Sequence, residues 1–182
     1  VTHFHQPDPS LWEDGISVIT TPDGRWDKCH VKSISLLANI LAKHLAREAG
    51  AGEAIFIRDN GVVTEAASSN VFAVIDGTLM THPANNRILA GITRRYVLEI
   101  ARTQNLPLRE DFFTIDDLRR AQEVFLTNSI QELVPVVRID GQPVADGRPG
   151  PVTRRLLTGY RHRLAEELNK QAEPVVSSGG EK

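Results

Sequence analysis

Apolar and polar positions alternate in short blocks along most of this chain, and Asx-Gly pairs punctuate the blocks. Ile16-Ser17-Val18-Ile19-Thr20 is β-branched and alternating, which predicts a strand. Asp23-Gly24 then reads as a turn, with residues 26–31 returning as a paired strand that delivers Lys32 at its end. From there the period changes. Leu37, Leu41 and Leu45 recur every four residues, with Leu36 and Ile40 beside them, which predicts a helix to about Glu48 with that leucine face buried. Ser33 or Ser35 suits its N-terminal cap and Gly50 its C-terminal cap.

Strands follow at residues 53–58, 62–64, 70–75 and 78–81, joined by Asn60-Gly61 and Asp76-Gly77. Residues 93–103 read as a helix with Val97, Ile100 and Ala101 on its inner face. A short strand fits Pro107-Leu108-Arg109, and Thr114-Ile115-Asp116-Asp117 opens a short helix with an acidic first turn. Strands at 123–126 and 136–139 come next, the second ending in Asp140-Gly141. Pro151 suits the first turn of a final helix carrying Leu156, Leu157, Tyr160 and Leu164. The pattern predicts an α+β (α/β) fold: a curved mixed or antiparallel sheet flanked by helices, not a doubly wound one. Residues 1–12 read as a linker or edge segment and 13–170 as one domain. Residues 171–182, rich in Ser, Gly, Glu and Pro, read as a disordered tail.

Composition narrows the function classes. The chain has 182 residues, 41% hydrophobic and 24% charged, which is globular composition for about one domain. With 21 basic and 23 acidic residues the net charge is −2, so nothing favours nucleic acid or an anionic membrane. No apolar run reaches the length of a membrane span, and the start lacks the basic and apolar regions of a signal peptide. The single Cys29 excludes an internal disulfide and a zinc pattern, and fits a reducing, cytoplasmic setting. The chain opens on Val1 and its one methionine is Met80, from which a fragment or a processed chain is expected.

Three constellations suggest chemistry. Lys32 stands where an extended segment meets a helix; partial burial there would favour a neutral, nucleophilic amine. By spacing alone it reads first as a solvated residue flanking a helix. Glu65 follows a strand and by itself reads as a surface glutamate at a strand end. Gly91-Ile92-Thr93 opens a helix, which suits either an anion site or an ordinary cap.

Four segments, in order, carry a resemblance. They are Val31-Lys32-Ser33-Ile34-Ser35-Leu36-Leu37-Ala38-Asn39-Ile40-Leu41-Ala42-Lys43, Val63-Thr64-Glu65-Ala66-Ala67-Ser68-Ser69-Asn70-Val71-Phe72, residues 81–94, and Val124-Phe125-Leu126-Thr127-Asn128-Ser129. Together they resemble the fold-type IV pyridoxal-phosphate enzymes, and within them the D-amino acid aminotransferases. The resemblance implies the larger, C-terminal domain of that fold, a pseudo-barrel flanked by helices, with the smaller N-terminal domain absent. It implies pyridoxal 5'-phosphate held as a Schiff base on Lys32, with Glu65 at the ring nitrogen and Leu89 against the ring. Gly91, Ile92, Thr93 and Ser129 would take the phosphate, Ser68 would stay within the glutamate motif, and Arg25 would stand near Glu65. It implies small amino acid and 2-oxo acid substrates and a homodimer. Branched-chain aminotransferase, aminodeoxychorismate lyase and a non-catalytic remnant domain are the alternatives. The chain departs from the family pattern where Ala66-Ala67 replace Gly-Ser, and where Asn128 and Ile130 replace small hydroxyl residues. His3 and His5 do not match the family's arginine-histidine segment and stay outside the expected site.

Overall fold

Strand β1 (Ile16–Pro22) has both edges occupied, and this decides how the chain continues. It runs parallel to β2 (Glu53–Ile57) on one side and to β8 (Glu132–Ile139) on the other. The hairpin expected at Asp23-Gly24 therefore does not form, because residues 26–31 have no free edge to pair with. They lie instead in turns and coil, and the chain reaches β2 through helix α2 (Leu37–Glu48). The computed structural model describes residues 7–172. The expected tail beyond residue 172 and the segment before residue 7, with His3 and His5, lie outside the described residues.

The remaining strands close a ring. β2 pairs with β3 (Val63–Ala66), and β3 touches β4 (Asn70–Ile75) through the pair Glu65–Asn70. β4 runs antiparallel to β7 (Glu123–Asn128), and β7 to β8, which returns to β1. β5 (Thr78–Thr81) and β6 (Leu108–Glu110) extend the sheet from β4, and β9 (Gln142–Pro143) folds back on β8. The sheet is mixed, as the strand and turn pattern predicts. Asp76 and Gly77 (φ 49° and 74°) and Asp140 and Gly141 (φ 50° and 78°) make the tight turns, both residues in the left-handed region.

Strand alternation sorts side chains between two cores. Val71, Ala73 and Ile75 of β4 join Val18, Ile55, Val124, Leu126 and Val136 in one. Phe72 and Val74 face the other, where Phe72 stacks on Phe125 at 5.0 Å beneath helices α3 (Ile92–Thr103) and α5 (Pro151–Ala172). Val97, Ile100 and Ala101 of α3 are buried as expected. So are Leu156, Leu157 and Tyr160 of α5, but Leu164 is 40% exposed. Beyond Tyr160 the contact turns polar, with Tyr96 of α3 donating to Glu167 at 2.7 Å. Helix α4 (Ile115–Arg119) carries a capping box between Thr114 and Asp117. A short helix, α1 (Ser10–Glu13), precedes β1, and its Trp12 indole donates to the Gln131 carbonyl at 2.9 Å.

Helix α2 corrects two expectations. Its buried residues are Ala42 and Ala46, packed with Ala54, Phe56 and Ala67, while Leu37, Ile40, Leu41 and Leu45 are 71, 61, 54 and 48% exposed. Small side chains let the helix backbone lie close on β2, and the leucines are turned outward as a result. The helix also starts later than expected, after Leu36 and without a side-chain cap. Ser33 Oγ accepts from the Ser35 amide at 3.2 Å instead, a local bond that competes with helix formation.

Ala46→Leu should destabilise the chain by about 1–3 kcal/mol through overpacking. Leu41→Ala should change its stability by less than about 0.5 kcal/mol. Denaturant midpoints of the two variants check both values, and a larger loss for Leu41→Ala would mean that the leucine face is covered.

Candidate functional site

Loop 23–36, displaced from the sheet, becomes one wall of a cleft of about 300 Å³. Two bonds tie it to the segment before α3: Cys29 donates its amide to the Asn86 carbonyl at 2.9 Å, and Asn86 Nδ2 donates to the Asp27 carbonyl at 3.0 Å. The cleft brings together Arg25, Lys32, Glu65, Ser68, Leu89, Gly91 and Ser129. Ile92 and Thr93 do not line it. Ile92 is 62% exposed, whereas Thr93 is buried with its hydroxyl unpaired.

Lys32 sits in coil and is exposed. The strand end and partial burial expected for it are absent, for the edge-pairing reason given above. His30, next but one before it, is exposed as well. Cys29 donates its thiol to the Trp26 carbonyl at 3.0 Å and lines the cleft, and burial pushes the thiol pKa up.

Glu65 is held from three sides. Arg25 Nη1 donates to its Oε1, while the Leu89 amide at 3.0 Å and Asn70 Nδ2 at 3.2 Å donate to Oε2. Burial pushes the Glu65 carboxyl up to about 7, against the Arg25 charge and the Leu89 amide, which favour the anion. Arg25 is buried, with its guanidinium 4.4 Å from the centre of the Phe56 ring. It donates Nε and Nη2 to the two oxygens of Asp23, each at 2.9 Å, and Nη2 also to Thr64 Oγ1 and the Arg87 carbonyl, each at 3.1 Å. Burial works against the Asp23 anion, but the hydrogen bonds and charge of Arg25 outweigh it and hold the carboxyl below its usual range.

Sequence reasoning does not single out Asp23, Thr64 or Asn70 as site residues. Asp23 carries only a turn signal, and Thr64 and Asn70 gain meaning once their strands meet Glu65. Ser68 donates its hydroxyl to Glu53 Oε2 at 2.5 Å, and the same oxygen accepts from Lys43 at 3.0 Å. The Asn128 side chain accepts from the Ile130 and Gln131 amides at 2.9 and 2.7 Å, which shapes the loop that puts Ser129 on the cleft wall.

The start of α3 can receive an anion. Its N-cap is Gly91, so no side chain caps the first turn, and helix N-termini attract negative charge. A Cβ at Gly91 would stand 2.5 Å from Asn70 Oδ1, so a larger residue there would push the Asn70 side chain from its place. Two buried hydroxyls without partners, on Thr93 and Thr127, lie in this region, and Thr127 lines the cleft. No group of three or more metal-binding side chains occurs among the described residues.

Known proteins share this sequence pattern and this fold. The amino-transferase class IV family model matches residues 2–139. D-alanine aminotransferase of Staphylococcus haemolyticus is 48% identical over 148 residues, covering 81% of this chain and 52% of that protein. The Bacillus licheniformis D-alanine aminotransferase is 43% identical over 158 residues, covering 87% and 56%. Among solved structures, the branched-chain amino acid aminotransferase of Thermobaculum terrenum in its PLP form superposes with a TM-score of 0.81 at 27% identity, covering 88% of this chain and 54% of that one. The branched-chain aminotransferase of Thermoproteus uzoniensis with norvaline gives 0.75 at 30% identity, covering 92% and 56%. The chain spans about half the length of the curated relatives it matches. With the family match running through β1, loop 23–36 and every strand of the ring, the chain belongs to the class IV aminotransferases.

Proposed function

We propose that this chain carries the cofactor site of a pyridoxal-phosphate-dependent aminotransferase that moves an amino group between a D-amino acid and a 2-oxo acid. The observation that supports this most is the buried Glu65 carboxyl on the wall of the cleft that Lys32 also lines. The residues fit the cofactor. Glu65 offers an acceptor to a protonated ring nitrogen, Leu89 an apolar contact for the ring, and Gly91 with the start of α3 a cradle for the phosphate. The unpaired hydroxyl of Thr127 and the exposed hydroxyl of Ser129, both on the cleft wall, would be further donors to that phosphate.

Bound pyridoxal phosphate supplies an aldehyde that links to amines and a ring that accepts electrons from the substrate α-carbon. In this reading Lys32 Nζ would hold the cofactor, and its amine would move the proton at the substrate α-carbon, which is general acid–base catalysis by a positioned group. Glu65 would accept from the ring nitrogen and keep it protonated. Covering the cleft would take Lys32 out of water. The remaining length of the relatives and a second copy of the chain are the proposed covers, and the exposed leucine face of α2 offers them an apolar surface. A cytoplasmic setting rests on the lone Cys29 alone. Among the described residues no helix is long and apolar enough to cross a membrane.

The D-series reading is supported by the 48% and 43% identity to D-alanine aminotransferases, against 27% and 30% for the branched-chain structures. The backbone likeness to those structures favours a second reading, transamination of branched-chain L-amino acids.

Borohydride reduction of the cofactor-loaded protein should fix the cofactor to Lys32, and Lys32→Ala should abolish the adduct. Peptide mapping checks this, and an adduct on Lys43 would sink the assignment. With the complete protein, D-alanine or D-glutamate should react with 2-oxoglutarate or pyruvate faster than L-leucine or L-isoleucine does. The reverse order in initial rates would transfer the protein to the branched-chain reading.

A further inference from the structure

One guanidinium stands between two buried carboxylates at the cleft. The side chains of Asp23, Arg25 and Glu65 are 1, 4 and 9% exposed. Arg25 gives two of its nitrogens to Asp23 and a single one to Glu65. Two-pronged pairing of this kind is the stronger and more directional. Asp23 is also fixed by the Thr64 hydroxyl, which donates to its Oδ2 at 2.9 Å. Counted together, the three groups carry one negative charge in excess. Arg25 and Glu65 line the cleft and Asp23 does not, so the excess is presented by Glu65.

We infer that Asp23 is a positioning residue whose charge cancels that of Arg25, leaving Glu65 as a net anion that can hold a cationic ring N–H. Without Asp23, Arg25 and Glu65 would form a neutral pair, and a cation entering the cleft would meet as much repulsion as attraction. The proposal rests on the cofactor reading for the identity of that cation, and on the geometry for everything else. Glu65's other two donors, Asn70 Nδ2 and the Leu89 amide, are neutral. The Asp23 charge adds to burial in raising the Glu65 carboxyl.

The surrounding charges do not take over the role. Arg58 and Arg87 both pair with Asp27. Burial pushes the His82 ring toward its neutral form and the Cys29 thiol likewise. Lys32 is exposed at the cleft wall. A merely structural Asp23 is the competing explanation, since its Oδ1 also accepts from the Arg25 amide at 3.2 Å. Asparagine keeps that acceptor and removes the charge.

The test is the titration of Glu65 in the cofactor-free chain, read by NMR from glutamate labelled with ¹³C at the side-chain carboxyl and assigned with Glu65→Gln. Asp23→Asn should move the Glu65 midpoint down by about one pH unit or more, because Arg25 then serves Glu65 alone. Thr64→Val, which keeps both charges, should leave the midpoint in place. The double variant Asp23→Asn with Arg25→Gln should return it close to that of the unaltered chain, because the cancelling pair is removed together. An unchanged midpoint in Asp23→Asn would overturn the proposal. So would a shift of equal size in Thr64→Val. If Asp23→Asn does not fold, the double variant decides: a midpoint raised as far as in Arg25→Gln alone overturns the proposal. Failure of the chain to take up pyridoxal phosphate, with these shifts intact, would count against the cofactor reading and leave the role of Asp23 standing.

Discussion

Arg25 joins four parts of the chain that are distant in sequence, and the cleft depends on that junction. The residue comes from the loop after β1. It reaches Glu65 on β3 and Thr64 beside it, donates to the Arg87 carbonyl, and stacks on Phe56 of β2. Through Glu65 the network continues to Asn70 of β4 and the Leu89 amide. Removing one partner of such a buried group would strand charge away from water, at a cost of about 3–5 kcal/mol. The closed ring makes the junction possible, because β3 and β4 meet where Glu65 pairs with Asn70.

The same ring explains why loop 23–36 is loose enough to form a wall. A strand paired on both sides cannot also start a hairpin, so the chain leaves β1 without a partner. Its backbone is tied down at a few points, such as Cys29 to Asn86, rather than along a ladder. Lys32 therefore sits on a segment with few main-chain restraints, beside a helix whose large apolar residues face outward. A helix with alanines against the sheet and leucines toward solvent is incomplete as a packing unit.

Electrostatics and packing meet at Gly91. The glycine allows Asn70 to approach the helix start closely, and Asn70 in turn holds Glu65 and the Leu89 carbonyl, the latter at 2.7 Å. The anion-attracting helix end and the carboxylate that would face a cation are thus positioned by one amide side chain. A ligand with an anionic phosphate at one end and a cationic nitrogen at the other suits this polarity.

Local rules determined much of this protein from its sequence. Turn dihedrals at Asp76-Gly77 and Asp140-Gly141, the capping box at Thr114, the inner face of α3 and the alternation of β4 all depend on residues a few positions apart. The family segments around Lys32, Glu65 and Gly91 were legible for the same reason, as short ordered strings. Partner choice was not legible. β1 alternates in the same way whether its neighbour is the next segment or strands reached much later, so only the closed ring decided between a hairpin and parallel pairing. On α2 the leucine and alanine stripes run side by side at the same spacing, and only the close approach of β2 selected the alanines. Asp23 carries a turn signal by itself; its second role exists because folding brings Thr64, 41 residues away, and Glu65, 40 residues from Arg25, to the same guanidinium.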